Sequence, residues 1–139
     1  MYEKNLDRYR TTSTLGLSPF EVMARLMESA SLCMGNVARA IENNDIKKRS
    51  DESEKALMML AGLMDYLNDD TPEQKKMVET LRIYYRSMMD LITNLNVRPE
   101  KELAEALSQS FSDFSEAWRS APHNVEAQKS AQPVFYAQG

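Results

Sequence analysis

Residues 71–97 read TPEQKKMVETLRIYYRSMMDLITNLNV, and this stretch decides the fold. Thr71 is a good helix N-cap and Pro72 suits the first helical position. Gln74 follows the cap by three residues, where its side chain reaches back to the capping N–H. Beyond them Met77, Val78, Leu81, Tyr84, Tyr85, Met88, Ile92 and Leu95 recur in steps of three and four, which is one face of a helix. Pro99 disfavours helical backbone at the residue before it and predicts a break near Arg98.

The same logic extends outward on both sides. After the break, Leu103, Leu107, Phe111, Phe114 and Trp118 form a near-heptad stripe. Glu100, Glu102 and Glu105 suit the positive N-terminal end of that helix and need no substrate. Before the stretch, Asp45 is placed to cap a second helix reaching about Leu67. Its early face is thin (Ile46, Ser50, Ser53), and its late face is dense (Ala56, Met59, Leu60, Leu63, Met64, Leu67). A first helix opens at Ser18-Pro19-Phe20-Glu21, with Ser18 as cap and Glu21 positioned to close a capping box. It carries Met23, Leu26, Met27, Ala30, Cys33, Met34, Val37 and Ile41 on one face and stops at Asn43-Asn44.

Four helices of about 22–26 residues would each be roughly 33–39 Å long. Connections of a few residues force neighbours to run antiparallel. The expectation is an all-α, antiparallel up-and-down four-helix bundle over residues 18–120. A short N-terminal arm (1–17) precedes it and a disordered, flexible tail (121–139) follows. Gly35 and Gly62 fall inside helices, where close helix approach would account for them. Trp118 reads as a plug at one end of the bundle.

Composition narrows the function. The chain has 139 residues, 42% apolar and 27% charged, with a formal net charge of −4. That balance gives one globular domain and no nucleic-acid footprint. The longest apolar run, residues 56–64, is too short for a membrane span, and the N-terminus does not resemble a signal peptide. The single cysteine, Cys33, fits a reducing compartment and reads as an inert small hydrophobe. His123 is the only histidine and lies in the polar tail, so histidine dyads, histidine metal sites and phosphotransfer have no credible source. No glycine-rich phosphate loop is present. The expectation is a protein without catalysis, metal or cofactor.

What the sequence has in excess is apolar circumference. Residues 56–60 (ALMML) are apolar nearly all round a helix. Leu57, Met58, Tyr66, Ile83, Met89 and Leu91 cannot all face one core. Ten methionines add a lining that repacks around different partners. Two readings stand: a thick core with some exposed methionines, or a groove for a partner's amphipathic helix.

These pieces together resemble the flagellar secretion chaperone family, FliS. The resemblance runs over about residues 9–120. Tyr9 precedes Ser18-Pro19, as in the family's Tyr … Ser-Pro opening. Residues 38–45 (ARAIENND) resemble the end of its first helix. Lys55-Ala56 … Met59-Leu60 … Leu63 … Leu67 resembles its second, and Tyr85 with Met88, Ile92 and Asn96 its third. Glu116-Ala117-Trp118 resembles the Glu-Ala-Trp near its end. The chain departs from the pattern at Leu26-Met27-Glu28-Ser29, where the family usually has Leu-Tyr-Asp-Gly, and at Ser87, where it has a second Tyr.

The resemblance implies a cytoplasmic export chaperone that binds the C-terminal segment of flagellin, holds it unpolymerised and delivers it to the flagellar export gate as a chaperone–client complex. It implies a flagellin-binding set of Tyr9, Leu17, Ser18, Pro19, Met23, Leu26, Met27, Leu57, Met58, Tyr85 and Met88. It also implies a displaceable arm, in which Tyr9, Leu15 and Leu17 occupy the groove until the client arrives. A monomer is expected. The rival reading is a structural or regulatory adaptor bundle that homodimerises through the surplus face.

Overall fold

The computed structural model describes residues 19–67 and 71–120. Among them are four helices: α1 (Pro19–Glu42), α2 (Ile46–Asp65), α3 (Pro72–Val97) and α4 (Lys101–Ser120). They form the expected antiparallel bundle. The expected arm, Ser18 as a cap and the tail all lie outside the described residues.

The turns follow local chemistry. At the end of α1, Asn44 takes the left-handed conformation at φ 55°, which asparagine tolerates better than most residues. The Asn44 N–H then reaches Ile41 O at 3.2 Å and the Asp45 N–H reaches Ala40 O at 2.8 Å. This pair of bonds is a Schellman ending. Asp45 serves twice, since its side chain also accepts the Lys48 N–H and caps α2. One residue closing one helix and opening the next keeps this connection to three residues. At α3 both halves of the Thr71–Gln74 capping box are formed, at 3.0 and 3.1 Å. The helix ends at Arg98, in extended backbone before Pro99.

Two expectations change. The helices are 24, 20, 26 and 20 residues long, so α2 and α4 are shorter than expected. The last turn of α2 tightens to i→i+3 bonds at Tyr66 and Leu67. The early face of α2 holds only in part: Ser53 is buried, but Ile46 is 67% exposed and Ser50 is exposed, and the carboxylate of Glu52 is buried beside Ser53 instead.

Helix α1 packs closely on α2 and α4, and α3 packs on α2 but only sparsely on α4. Small residues explain the close pairs. On the α1–α4 seam, the Ser31 hydroxyl donates to Ser108 O (2.7 Å) and the Ser108 hydroxyl donates to Ser31 O (2.8 Å). Seven residues back along α1 and seven on along α4, the Ser115 hydroxyl donates to Ala24 O at 2.9 Å. Bulkier side chains there would force the backbones apart. The core between the helices holds Leu26, Met27, Met34, Leu60, Leu63, Tyr85, Ile92, Leu95 and Phe111. Each such side chain contributes roughly 1.5–3 kcal/mol by leaving water. Trp118 closes one end of the bundle against Phe20, with ring centroids 5.0 Å apart.

Candidate partner-binding site

The loose seam is the one between α3 and α4. Large side chains from both helices fill it without burying one another. The Tyr84 ring stacks on Phe114, centroids 5.0 Å apart and planes 13° from parallel. Its hydroxyl lies 3.3 Å from the Ser110 hydroxyl. The aromatic row continues from Phe114 to Trp118 and on to Phe20 of α1. Burial pushes the Tyr84 phenol up, and the Ser110 hydrogen bond offsets part of that. Tyr84, Met88 and Leu91 on α3, and Leu103 and Phe114 on α4, pack one side on the core and leave the other partly open. Helical spacing explains the row. Tyr84, Met88 and Leu91 lie on one flank of α3, while Leu81, Tyr85 and Ile92 point inward.

A second half-covered strip lies on α2. Glu52 faces α1 through Asn36, and at ~100° per residue Leu57 and Met64 come on the flank away from α1. Both are half-buried and pack against the core. The contact of Arg49 with Asn96 O (3.4 Å) sets the α2–α3 register, and it brings Leu57 level with Met88 and Met89.

The residues named from sequence therefore separate into groups. Leu57 and Met88 are half-exposed and line these strips, and Met58 is half-exposed on the outer side of α2, about 100° round the helix from Leu57. Met23, Leu26, Met27 and Tyr85 are buried among the four helices and support the surface from beneath. Tyr85 is fully buried, because its position on α3 faces inward between Leu81 and Ile92. Pro19 opens α1. Tyr9, Leu17 and Ser18 lie outside the described residues, as do Leu15 and the arm it belongs to. The surplus residues Leu57, Met58, Tyr66, Met89 and Leu91 are half-buried, and Ile83 is 60% exposed.

The sequence reading singled out Leu91 as surplus to one core, but it did not place Tyr84, Leu103 and Phe114 at this seam. Their spacing marked them as apolar, but nothing local says which flank of a helix will be packed loosely. It also missed Glu52. This carboxylate is 3% exposed, accepts a hydrogen bond from Asn36 Nδ2 (2.6 Å) and pairs with Lys55 (2.9 Å). Burial alone would push it up, but the bonds from Lys55 and Asn36 outweigh burial and hold it below its ordinary value. Cys33 is buried nearby, and desolvation, then the Glu52 charge, raises its thiol to about 11. No described helix is long and apolar enough to cross a membrane, and no described group of histidine, cysteine and acidic residues could hold a metal ion.

Among the described residues the arrangement offers apolar surface lined by adaptable methionine side chains. A family model described as flagellar protein FliS matches residues 2–125. No curated protein matches the chain.

Proposed function

The chain belongs to the flagellar protein FliS family, a family of flagellar export chaperones. From that membership we propose that it binds the C-terminal segment of flagellin in the cytoplasm. It keeps the segment from polymerising and delivers it, as a complex, to the flagellar type III export apparatus, with no chemical step. The observation that carries the reading is the half-open apolar surface along α3, made by Tyr84, Met88 and Leu91 with Leu103 and Phe114.

A client segment that is unfolded when free and helical when assembled must have its apolar face covered, yet must leave easily. Laying that face along a loose seam buries it, and ordering the segment offsets much of the contact energy. Methionines such as Met88 and Met58 repack around whatever side chains arrive. The buried Met23, Leu26, Met27 and Tyr85 act by shaping this surface. Residues 1–17 act as a weakly held cover over it, with Tyr9, Leu15 and Leu17 as its anchors. Deleting residues 2–14 then raises client affinity or aggregation, and a deletion that changes neither removes the cover from the proposal.

The test is calorimetric titration with the C-terminal peptide of the flagellin from the same organism. A 1:1 complex is expected. Met88→Glu and Leu57→Glu place a charge on the half-exposed strips and should each weaken it by roughly tenfold, the effect of about 1.4 kcal/mol. Circular dichroism of both variants checks that the bundle is kept. No heat of binding, or a tight homodimer indifferent to the peptide, would sink the chaperone reading in favour of an adaptor bundle.

A further inference from the structure

The hydroxyls of the α3–α4 seam are spent unevenly. On the side of α3 that carries Tyr84, the Thr80 hydroxyl donates to Lys76 O (3.1 Å) and the Ser87 hydroxyl donates to Ile83 O (2.8 Å). Both protons are used up on the backbone of their own helix. Tyr84 and Ser110 differ. Their oxygens lie 3.3 Å apart, either can be the donor, and each is the other's only hydrogen-bond partner among the described residues. Two hydroxyls carry two protons. Their one bond uses one of them. Whichever group donates, the other keeps a proton that no described acceptor takes.

The setting of that spare proton is apolar and uncharged. Phe114 stacks on the Tyr84 ring, and Met88 and Leu91 share its flank of α3. Burial raises the Tyr84 phenol and the Ser110 bond offsets part of that, with no charged neighbour among the described residues shifting it. In the free chain, water can accept the proton at this part-buried pair. A segment that covers the seam expels that water. A donor then buried without an acceptor costs more than a made bond gains, so the pair penalises the wrong client.

We propose that the α3–α4 seam selects a client helix that brings one amide side chain, Asn or Gln, to the Tyr84–Ser110 pair. The inference rests on the reading of this seam as the client site. The amide carbonyl accepts the spare proton, and the amide N–H donates back to a hydroxyl oxygen. The client's own backbone carbonyls are used within its helix, so the acceptor comes from a side chain. A carboxylate would also accept, but it would lose its hydration with no described cation beside the pair to compensate. A wholly apolar face would strand the proton. Apolar contact along the seam then supplies affinity, while the two hydroxyls set the register of the client and reject faces that lack the amide.

The experiment is calorimetric titration of the full chain with the C-terminal peptide of the same organism's flagellin, its Asn and Gln residues replaced singly by alanine and by the matching acid. One alanine replacement is expected to weaken binding about tenfold, and the acid at that position to weaken it further. Tyr84→Phe with Ser110→Ala removes both hydroxyls and keeps the ring stack. Against this double variant the same alanine replacement should change affinity by less than about twofold, the result that marks a direct coupling. Each single variant leaves one hydroxyl with its proton and should keep most of the discrimination. Circular dichroism and the urea midpoint check that the variants keep the bundle. Equal losses on the unaltered and doubly substituted chains would overturn the proposal while leaving the client site in place. So would a peptide series in which no Asn or Gln matters, or an acid replacement that binds as well as the parent peptide. A parent peptide that fails to bind the unaltered chain would remove the chaperone reading, and this inference with it.

Discussion

Replacing Gly35 with alanine should make this protein more stable. Gly35 lies in the middle of α1, at the seam with α4. Glycine in a helix interior costs about 0.8–1.0 kcal/mol relative to alanine, because its unfolded backbone has more freedom to lose. The sequence suggested that close helix approach requires the missing side chain. The geometry gives a different answer. A Cβ at position 35 would meet Ser108 Oγ at 3.7 Å and Arg39 Nη1 at 4.0 Å, and nothing nearer. Those are ordinary van der Waals contacts, so the methyl group adds no strain, and its contact with the serine hydroxyl adds little attraction. The net expectation for Gly35→Ala is about +0.8 kcal/mol. For a domain of this size that raises the thermal midpoint by roughly 3–4 °C, at an unfolding entropy of ~2.1 cal/mol/K per residue. Urea denaturation followed by circular dichroism is the assay, with an unchanged slope and a higher midpoint expected. Gly35→Val is the contrast: a branched side chain reaches past the 3.7 Å contact and should erase the gain. A destabilised Gly35→Ala would refute the reasoning, because it would mean that α1 and α4 lie closer than the Ser31–Ser108 bonds indicate.

Two further outcomes come from the buried groups between α1 and α2. Glu52 is held below its ordinary value, so it contributes stability above about pH 4.5 and loses that contribution as pH falls through its lowered folded value. Glu52→Gln should flatten the dependence of the urea midpoint on pH in that acid window and lower stability at pH 7; an unchanged slope would show that the carboxylate is not held as described. Cys33 behaves with the opposite sign. Its thiol is raised from 9.0 to about 11, so the stability it contributes is complete below pH 9 and is lost as pH climbs toward 11. In native buffer at pH 8 it should react with thiol reagents far more slowly than in denaturant. Equal rates would mean that α1 and α2 open readily around it.

The helix boundaries were legible because their causes are local. Asp45, the Thr71–Gln74 box and Pro99 each act within a few residues of where they stand, so reading them along the chain was enough. The inward faces were legible for a related reason. Leu81, Tyr85 and Ile92 recur at the period of the helix, and a repeating apolar face needs a core whatever its neighbours are. Matched helices joined by short turns then leave an antiparallel bundle as the packing solution.

Which flank of each helix would be tight and which loose was decided only in three dimensions. Met23, Leu26 and Met27 look no different in sequence from Met58 and Met88, yet the first three are buried and the last two are half-open. The difference comes from partners on other helices, distant along the chain. Ser108 and Ser115 let α4 settle close against α1 through hydrogen bonds to its backbone. The stacked rings of Tyr84 and Phe114 instead hold α3 and α4 apart. Glu52 shows the same limit, for a carboxylate is buried only where a donor such as Asn36 waits on another helix. Periodicity tells each helix which way is inward, but the width of a seam is a property of two helices at once, so no single stretch of chain encodes it.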